Sequence, residues 1–193
     1  MMDIYDLIVS RRTIRKFAQK EINAADLMRY INAARIAPSA ANLQPLKYVI
    51  VKGDEMRAKV FSTLKWAGYL APEYNPKDNE RPMAYIVVCC DANIRTNGYD
   101  MDVGAAVENI ILSALNDGIG SCWLGSVDRP LLQEILQLDE NAVISCVLAL
   151  GYPAESPEEI TLAENKDIKY YLNENNTLCV PKRPLEDVVI KSI

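Results

Sequence analysis

Residues 102–127 read DVGAAVENIILSALNDGIGSCWLGSV, and this stretch decides the predicted fold. Its first half carries apolar residues at helical spacing and predicts a helix opened by Asp102. The members of this stripe are Val103, Ala106, Val107, Ile110, Ile111, Ala114 and Leu115. Because the stripe is wide, we expect the helix to lie between a sheet and a second subunit.

Residues 118–125 are predicted to join this helix to a later strand, with glycines that let the backbone approach a flat ligand. The spacing is not GxGxxG, since Trp123 stands where the third glycine belongs.

The segments on either side predict further helices and strands. A first helix carries Ile4, Leu7 and Ile8, a second begins with Asn23 and Asp26 as a capping box and stops before Pro38, and a third is capped by Asp54. The predicted buried strands are residues 48–51, 84–90 and 143–150. Residues 39–45 are a loop by composition. The chain therefore alternates between the two element types.

Two regions lack a clear helical or strand period. The segment 65–82 is long for a connection within a compact domain, and such segments often cover a site. It contains Trp66, Tyr69 and Tyr74, which are candidates either to stack above a ligand or simply to pack the loop. The tail after Pro153 is expected to have little core of its own. Its short apolar run 188–190 could add as a strand to a sheet edge, on this chain or another.

Length and composition bound the class of protein. The chain has 193 residues, half of them apolar, without a shift in composition, so we expect one domain spanning 1–193. Its net charge of −5 argues against nucleic acid as a partner. No charged n-region precedes an apolar stretch, and no run of about 18 apolar residues is present. We therefore expect a cytoplasmic protein that does not enter membranes.

The residues that are missing narrow the chemistry further. There is no histidine, which excludes Ser-His-Asp, Cys-His and histidine general-base schemes. The five cysteines lack CxxC spacing and mostly lie in apolar runs, so they are interpreted as core residues, and no metal site is expected. If the protein is an enzyme, we expect a bound organic cofactor to supply the chemistry.

Positive charge is concentrated near the N-terminus. Arg11, Arg12, Arg15 and Lys16 place four cations within six residues, with Thr13 between them. Guanidinium groups bind phosphate bidentately, so the cluster is a candidate phosphate pocket. The alternative is a solvated cationic end of the first helix, where positive charge complements the helix dipole.

Five segments in this order resemble the FMN-dependent nitroreductase family. They are SRRTIRKF (10–17), APSAANLQPLKYVIV (37–51), residues 102–127, ALGYPAE (149–155) and PKRPLEDVV (181–189). Each motif is weak alone, but the series covers nearly the whole chain. The resemblance implies an α+β fold in which helices flank a central, mostly antiparallel sheet, and an intertwined homodimer.

The resemblance also implies the residues that bind the cofactor. The flavin phosphate and ribityl chain would contact Arg11, Arg12, Thr13 and Arg15, joined by Lys182 and Arg183 from the tail. The loop carrying Ser39, Asn42 and Gln44 would reach the flavin from the opposite protomer, whereas the alternative is an ordinary turn after a helix. Backbone N–H groups of the run Trp123, Leu124 and Gly125 would face flavin N5, and a buried turn with Trp123 in the core is compatible with that role. Glu108 and Asn109 receive no role.

The implied activity is transfer of hydride from NADH or NADPH through FMN to a flat acceptor such as a nitroaromatic or a quinone. The acceptor is a small molecule, and its identity stays open. Other flavin reactions on the same fold, such as dehalogenation or dehydrogenation of a small metabolite, are alternatives. A flavin-binding or storage protein without a substrate, or a binder of another phosphorylated ligand, would share the pocket but not the turnover.

Overall fold

The computed structural model describes residues 3–163 and 167–193. The helices of these residues are α1 (Ile4–Ser10), α2 (Ala24–Arg35), α3 (Asp54–Ser62), α4 (Asp100–Asn116), α5 (Arg129–Leu136) and α6 (Leu185–Val188). The strands are β1 (Phe17–Ala18), β2 (Leu46–Val51), β3 (Ala84–Asp91), β4 (Gly120–Leu124), β5 (Ala142–Pro153), β6 (Glu158–Thr161), β7 (Tyr171–Leu172) and β8 (Leu178–Lys182). Two short 3₁₀ turns cover Ala40–Asn42 and Asp78–Glu80.

The main sheet has five strands, and each of its pairings is antiparallel. Its path runs β1-β5-β3-β2, and β4 also pairs with β5. β5 is the organising strand because it bonds to β3 and also carries β4 and β1. The predicted α+β class, with helices flanking a mostly antiparallel sheet, is confirmed.

The sheet separates two apolar clusters. One lies against α2 and α4, and its fully buried members include Leu27, Tyr30, Ile86, Ile110 and Leu148. The other lies against α3 and α5, and its fully buried members include Phe17, Val60, Tyr85, Val87 and Leu132. Residues 84–90 of β3 are all buried, because successive side chains enter opposite clusters. This explains why the strand is an unbroken apolar run in the sequence.

The helix predicted to begin at Asp102 is α4, which starts two residues earlier, at Asp100. Six of the seven predicted stripe residues are buried, and Leu115 is half-buried. Its neighbour is α2, to which Asn109 donates a hydrogen bond of 3.0 Å at the carbonyl of Ala33. Asn109, which received no role from the sequence, therefore joins the two helices.

The predicted helix starts are corrected in detail. The Asn23 side chain accepts from the amide of Ala25 at 3.0 Å, as a cap should, but Asp26 binds Arg29 at 3.2 Å and does not reach back to complete a capping box. Asp54 is the first residue of α3 rather than its cap. Its carboxylate does not cap the helix and instead accepts a hydrogen bond of 2.5 Å from the Arg57 side chain.

Residues 118–125 were predicted as a connection, and this prediction is wrong. Gly118, with φ of 74°, ends the turn after α4, and β4 then pairs with β5 from Gly120 to Leu124. Short polar and glycine-rich segments have a weak strand signal, so only the pairing with β5 reveals this strand.

The tail after β5 forms a second sheet of three strands, ordered β6-β8-β7. Leu178 packs with Ala67 and Tyr74, so the core beneath this sheet is shared with the segment 65–82. Residues 188–190 do not add as a strand to a sheet of this chain, because α6 ends at Val188 and Ile190 is fully exposed. Their addition to a sheet edge of another chain stays a prediction. Among the residues that the structure describes, none of the helices combines the length and the hydropathy needed to cross a bilayer.

The close contact between Gly151 and Phe17 predicts that a larger residue at position 151 destabilises the fold. A Cβ atom on Gly151 would lie 2.7 Å from Cδ1 of Phe17, which is completely buried and has no room to retreat. We expect Gly151→Ala to lower the free energy of unfolding by about 1–3 kcal/mol, measured by urea denaturation. Gly68→Ala is the matched control, since no atom lies within 4 Å of its Cβ position. Equal stability of the two variants would contradict the contact.

Candidate functional site

The cationic segment lies beside β4. α1 ends at Ser10, and the chain then runs extended so that Thr13 bridges Ser121 in parallel and the amide of Ile14 donates to the Ser121 carbonyl at 2.8 Å. This bridge to Ser121 brings residues 11–15 alongside β4, whose end carries the segment 123–125 that was predicted to face the same ligand.

A cavity of about 200 Å³ opens beside this segment. Its lining combines Arg11, Arg12 and Ser121 with Ile111 and Leu115 from the C-terminal half of α4, and it also includes the acidic residue Glu155. The pocket thus has a cationic wall and an apolar wall, as a phosphate joined to an organic group requires.

The arginines differ in what they already bind. Arg12 is engaged, since its guanidinium contacts Glu159 at 2.9 Å and the carbonyl of Val9 at 2.8 Å. Arg11 is only loosely held, 3.8 Å from Glu108. The Arg15 guanidinium lies over the ring of Tyr170 at 4.8 Å. Arg11 and Arg15 are consequently better placed than Arg12 to bind an added anion.

The cations predicted from the tail lie at the end of β8. Lys182 is its last residue, Arg183 follows, and both are exposed. β8 pairs with β6, which carries the Glu159 that binds Arg12. The small sheet therefore places Val180, two residues before Lys182, opposite the Glu159 that binds Arg12.

The loop with Ser39, Asn42 and Gln44 lies elsewhere. Ser39 and Gln44 line a different cavity, of about 230 Å³, together with Asp102 at the N-terminal end of α4. The first cavity contacts α4 at Asp102 and Ala106, and the second contacts it at Ile111 and Leu115. At 1.5 Å per residue, the nearest of these residues, Ala106 and Ile111, are roughly 7.5 Å apart along the helix. A single chain does not bring the two predicted halves of the site together.

This loop has an unusual backbone. Ala41, Asn42 and Gln44 have positive φ values of 52°, 55° and 50°, although none is glycine. The Asn42 carbonyl accepts from the Gln44 side chain at 3.1 Å, and both residues are exposed. Such conformations cluster at ligand-binding loops and persist only where the surroundings hold them.

The segment 123–125 ends β4. Leu124 is buried, Gly125 is exposed, and its carbonyl accepts from Arg129 at 3.2 Å. Trp123 is 42% exposed, which contradicts the interpretation of this residue as a core side chain. Its indole is on the surface of the chain, where another molecule can cover it.

The aromatic residues of 65–82 separate into two groups. Trp66 is buried and stacks on Phe61, with ring centroids 5.6 Å apart, and Tyr74 is also buried. Tyr69 is exposed beside Tyr170, with centroids 4.9 Å apart. Trp66 and Tyr74 therefore pack the loop, and only Tyr69 is available to stack on a ligand.

Glu155 is a residue that the sequence analysis missed. Its carboxylate accepts from the backbone amide of Arg15, from that of Lys16 at 3.2 Å, and from the Tyr74 hydroxyl. Burial and this hydrogen bond raise the pKa of Tyr74, so the hydroxyl stays protonated and remains the donor. Glu155 ties the cationic segment to the loop 65–82. Glu155 is the last residue of the ALGYPAE motif, but the motif gave no indication of which residues its carboxylate would bind.

The cysteines behave as core residues, as predicted. All five are buried and free. Burial raises the pKa of Cys89 and of Cys146 to about 11, and that of Cys122 to about 12. Since the thiolate is the reactive form, we expect no thiol of the native protein to react with a disulfide reagent at pH 8, and all five after unfolding. Stoichiometric labelling of the native protein would contradict this.

Known proteins share this sequence and architecture. The Nitroreductase family model matches residues 8–152. A protein of Archaeoglobus fulgidus named "Putative NADH dehydrogenase/NAD(P)H nitroreductase" is 36% identical over 165 residues, covering 82% of this chain and 90% of that protein. A Vibrio harveyi "NADPH-flavin oxidoreductase" is 25% identical over 174 residues, covering 82% and 69%.

Among solved structures, "a putative nitroreductase in complex with fmn" from Desulfovibrio desulfuricans superimposes with a TM-score of 0.74 at 20% identity, covering 100% of this chain and 98% of that one. At this identity the likeness establishes the fold alone. The family model extends from the end of α1 to the end of β5 and includes the cationic segment, the loop 39–45 and β4. The protein is an oxidoreductase, and its chain belongs to the Nitroreductase family.

Proposed function

We propose that the protein is a homodimeric, FMN-dependent oxidoreductase that takes hydride from NADH or NADPH and reduces a flat, electrophilic small molecule such as a nitroaromatic or a quinone. The observation that carries the proposal is that the two predicted half-sites lie in separate cavities along α4, one against its N-terminal half and the other against its C-terminal half. A second copy of the chain, related by a two-fold axis, can bring each half against the other half of its partner.

The chain leaves uncovered the apolar surface that such a dimer would use. α1 buries none of its side chains, and Ile4 and Tyr5 are 70% and 68% exposed. At the other end of the chain, Ile190 and Ile193 are fully exposed. Large apolar side chains exposed in this way are typical of an interface, and both ends of the chain are suited to bury them against a partner.

The residues present fit the charge and shape of FMN. Arg11, which lines the cavity with Ile111 and Leu115, would bind the phosphate. Arg15 and the exposed Lys182 and Arg183, which lie outside the cavity lining, would reach the same phosphate from the cationic segment and from the end of β8. Arg12 and Thr13 would shape this end of the site, Arg12 through its ion pair with Glu159. From the partner copy, Ser39, Asn42 and Gln44 offer one hydroxyl and two amides to the polar groups of the flavin.

The remaining site residues would contact the part of the flavin ring around N5, where hydride is transferred. Backbone N–H groups near Trp123, Leu124 and Gly125 would donate to N5 and stabilise negative charge there. Bound FMN would supply the hydride chemistry itself, so the chain needs to supply orientation and a dry face rather than a histidine acid. Exposed Tyr69 would stack on the acceptor.

Absorption and turnover test the proposal. Purified protein, or protein soaked with FMN, is expected to absorb in the blue and near ultraviolet, to bleach on addition of NADH or NADPH, and to oxidise the donor steadily when menadione or a nitrofuran is supplied. A coloured protein without turnover would indicate flavin storage. A protein that stays colourless after soaking would indicate another phosphorylated ligand.

A further inference from the structure

We propose that Asp102 is a positioning residue whose buried carboxylate fixes the direction of the Ser39 hydroxyl and, through it, the left-handed loop that follows. Asp102 is only 4% exposed, and Ser39 Oγ lies 2.5 Å from its Oδ2 atom. A carboxylate only accepts hydrogen bonds, so the Ser39 proton must point toward Asp102. Arg95, whose Nη1 lies 3.7 Å from Oδ1, compensates the buried charge.

The same hydroxyl holds the far end of the loop. The backbone amide of Gln44 donates to Ser39 Oγ at 2.9 Å, and the amide of Ala40 lies 3.4 Å from Asp102 Oδ1. Asp102 and Ser39 therefore bind the backbone on both sides of Ala41 and Asn42, the first two of the positive-φ residues. A positive φ is unfavourable for residues other than glycine, so external hydrogen bonds are needed to keep the loop in one conformation.

This arrangement determines what Ser39 can offer to a ligand. A hydroxyl has one proton and two lone pairs. The proton is used by Asp102 and one lone pair by Gln44, which leaves one acceptor position. Ser39 can therefore accept from an N–H or O–H group but cannot donate to a phosphate or a ring carbonyl. On the proposed function, the donor is the N3–H of the flavin ring or a hydroxyl of the ribityl chain.

The hydrogen-bond relay is tested on apoprotein, without any flavin. Gln44 is exposed, so protection of its amide from hydrogen exchange reports the bond to Ser39 directly. Ser39→Ala, which leaves the pair of Asp102 and Arg95 intact, is expected to accelerate exchange at Gln44 by about tenfold or more. Asp102→Asn should accelerate it less, and the double variant should match Ser39→Ala alone, because both changes act on one relay.

Asp100→Asn is the control, since it removes an exposed carboxylate from the same first turn of α4. It should leave the Gln44 amide as protected as in the parent protein. An unprotected Gln44 amide in the parent, or additive effects of Ser39→Ala and Asp102→Asn, would overturn the relay. This outcome does not depend on whether the protein binds FMN.

A second measurement addresses the ligand donor. Ser39→Ala is expected to weaken FMN binding by about fivefold to tenfold, since one hydrogen bond is lost. The variant and the parent are then compared with 3-methyl-FMN, which lacks the ring N–H, and with a flavin carrying a phosphopentyl chain, which lacks the ribityl hydroxyls. The analogue on which Ser39→Ala has no effect identifies the donor that Ser39 accepts from. Equal effects on all three ligands would overturn the acceptor role, whereas absence of FMN binding to the parent would overturn the proposed function instead.

Discussion

Replacing Arg15 and Arg183 together with alanine is expected to weaken FMN binding by about 100-fold or more. Each arginine would contribute a charge-assisted hydrogen bond to the phosphate, worth about 1.5–3 kcal/mol. Losing both therefore removes most of the binding free energy that the phosphate dianion contributes. Arg15 is chosen over Arg12 because Arg12 already binds Glu159, and its loss would disturb the link to β6. The dissociation constant is measured by fluorescence titration of the apoprotein with FMN.

The control removes the same amount of charge from residues that do not line the cavity. Lys52 follows β2, and Lys59 lies on α3, where it binds Glu55 at 2.7 Å. Lys52→Ala with Lys59→Ala should leave FMN binding within about twofold, because neither lysine lines the cavity beside the cationic segment and salt screens surface charges outside it. Unchanged affinity in the Arg15 and Arg183 variant, with a native circular dichroism spectrum, would remove the phosphate role from these residues.

Mixing two defective chains is expected to restore binding sites. Arg15→Ala damages the half-site of the cationic segment, and Asn42→Ala damages the half-site contributed by the loop of the partner. In a heterodimer of the two variants, one site collects both defects and the other has none. Random reassociation after unfolding should therefore restore parental affinity at roughly one quarter of all sites.

The readout is the stoichiometry of tight FMN binding in the mixture against each variant refolded alone. Asn116→Ala replaces Asn42→Ala in the control mixture, because Asn116 is an exposed amide at the end of α4. That mixture should give parental affinity in the sites of every chain that keeps Arg15, in homodimers and heterodimers alike. If mixing Arg15→Ala with Asn42→Ala restores no sites, the two half-sites do not meet across a dimer interface.

The long elements were accessible to sequence reasoning because their side chains repeat with a period. α4 and β3 were predicted to within a few residues, since each has a run of apolar positions that only a helix or a doubly buried strand explains. β4 was not accessible, because its five residues become a strand only by pairing with β5. The run 188–190 shows the reverse case, because its apolar residues have a strand-like composition but pair with no sheet edge of the described residues of this chain.

The candidate site also has features that the sequence predicted and features that only the folded chain revealed. Charge contrast pointed to Arg11 and Arg15, because four cations in an acidic chain stand out without knowledge of the fold. Which of them is available for a ligand was decided by Glu159 and Tyr170, which lie more than 140 residues away in the sequence and reach the arginines only through the second sheet. Glu155 and Asp102 were missed as site residues because a carboxylate in a motif or a first helical turn has no visible partner until the chain is folded.

By itself, the sequence determined the periodic elements, the clustered positive charge, the absence of histidine chemistry and, through five ordered motifs, the family. These properties depend on composition and local spacing. Tertiary structure alone decided which strands pair, which cations are neutralised and which end of α4 each half of the site occupies. Those outcomes depend on contacts between residues far apart in the chain, and contact energies act on distance in space rather than on separation in sequence.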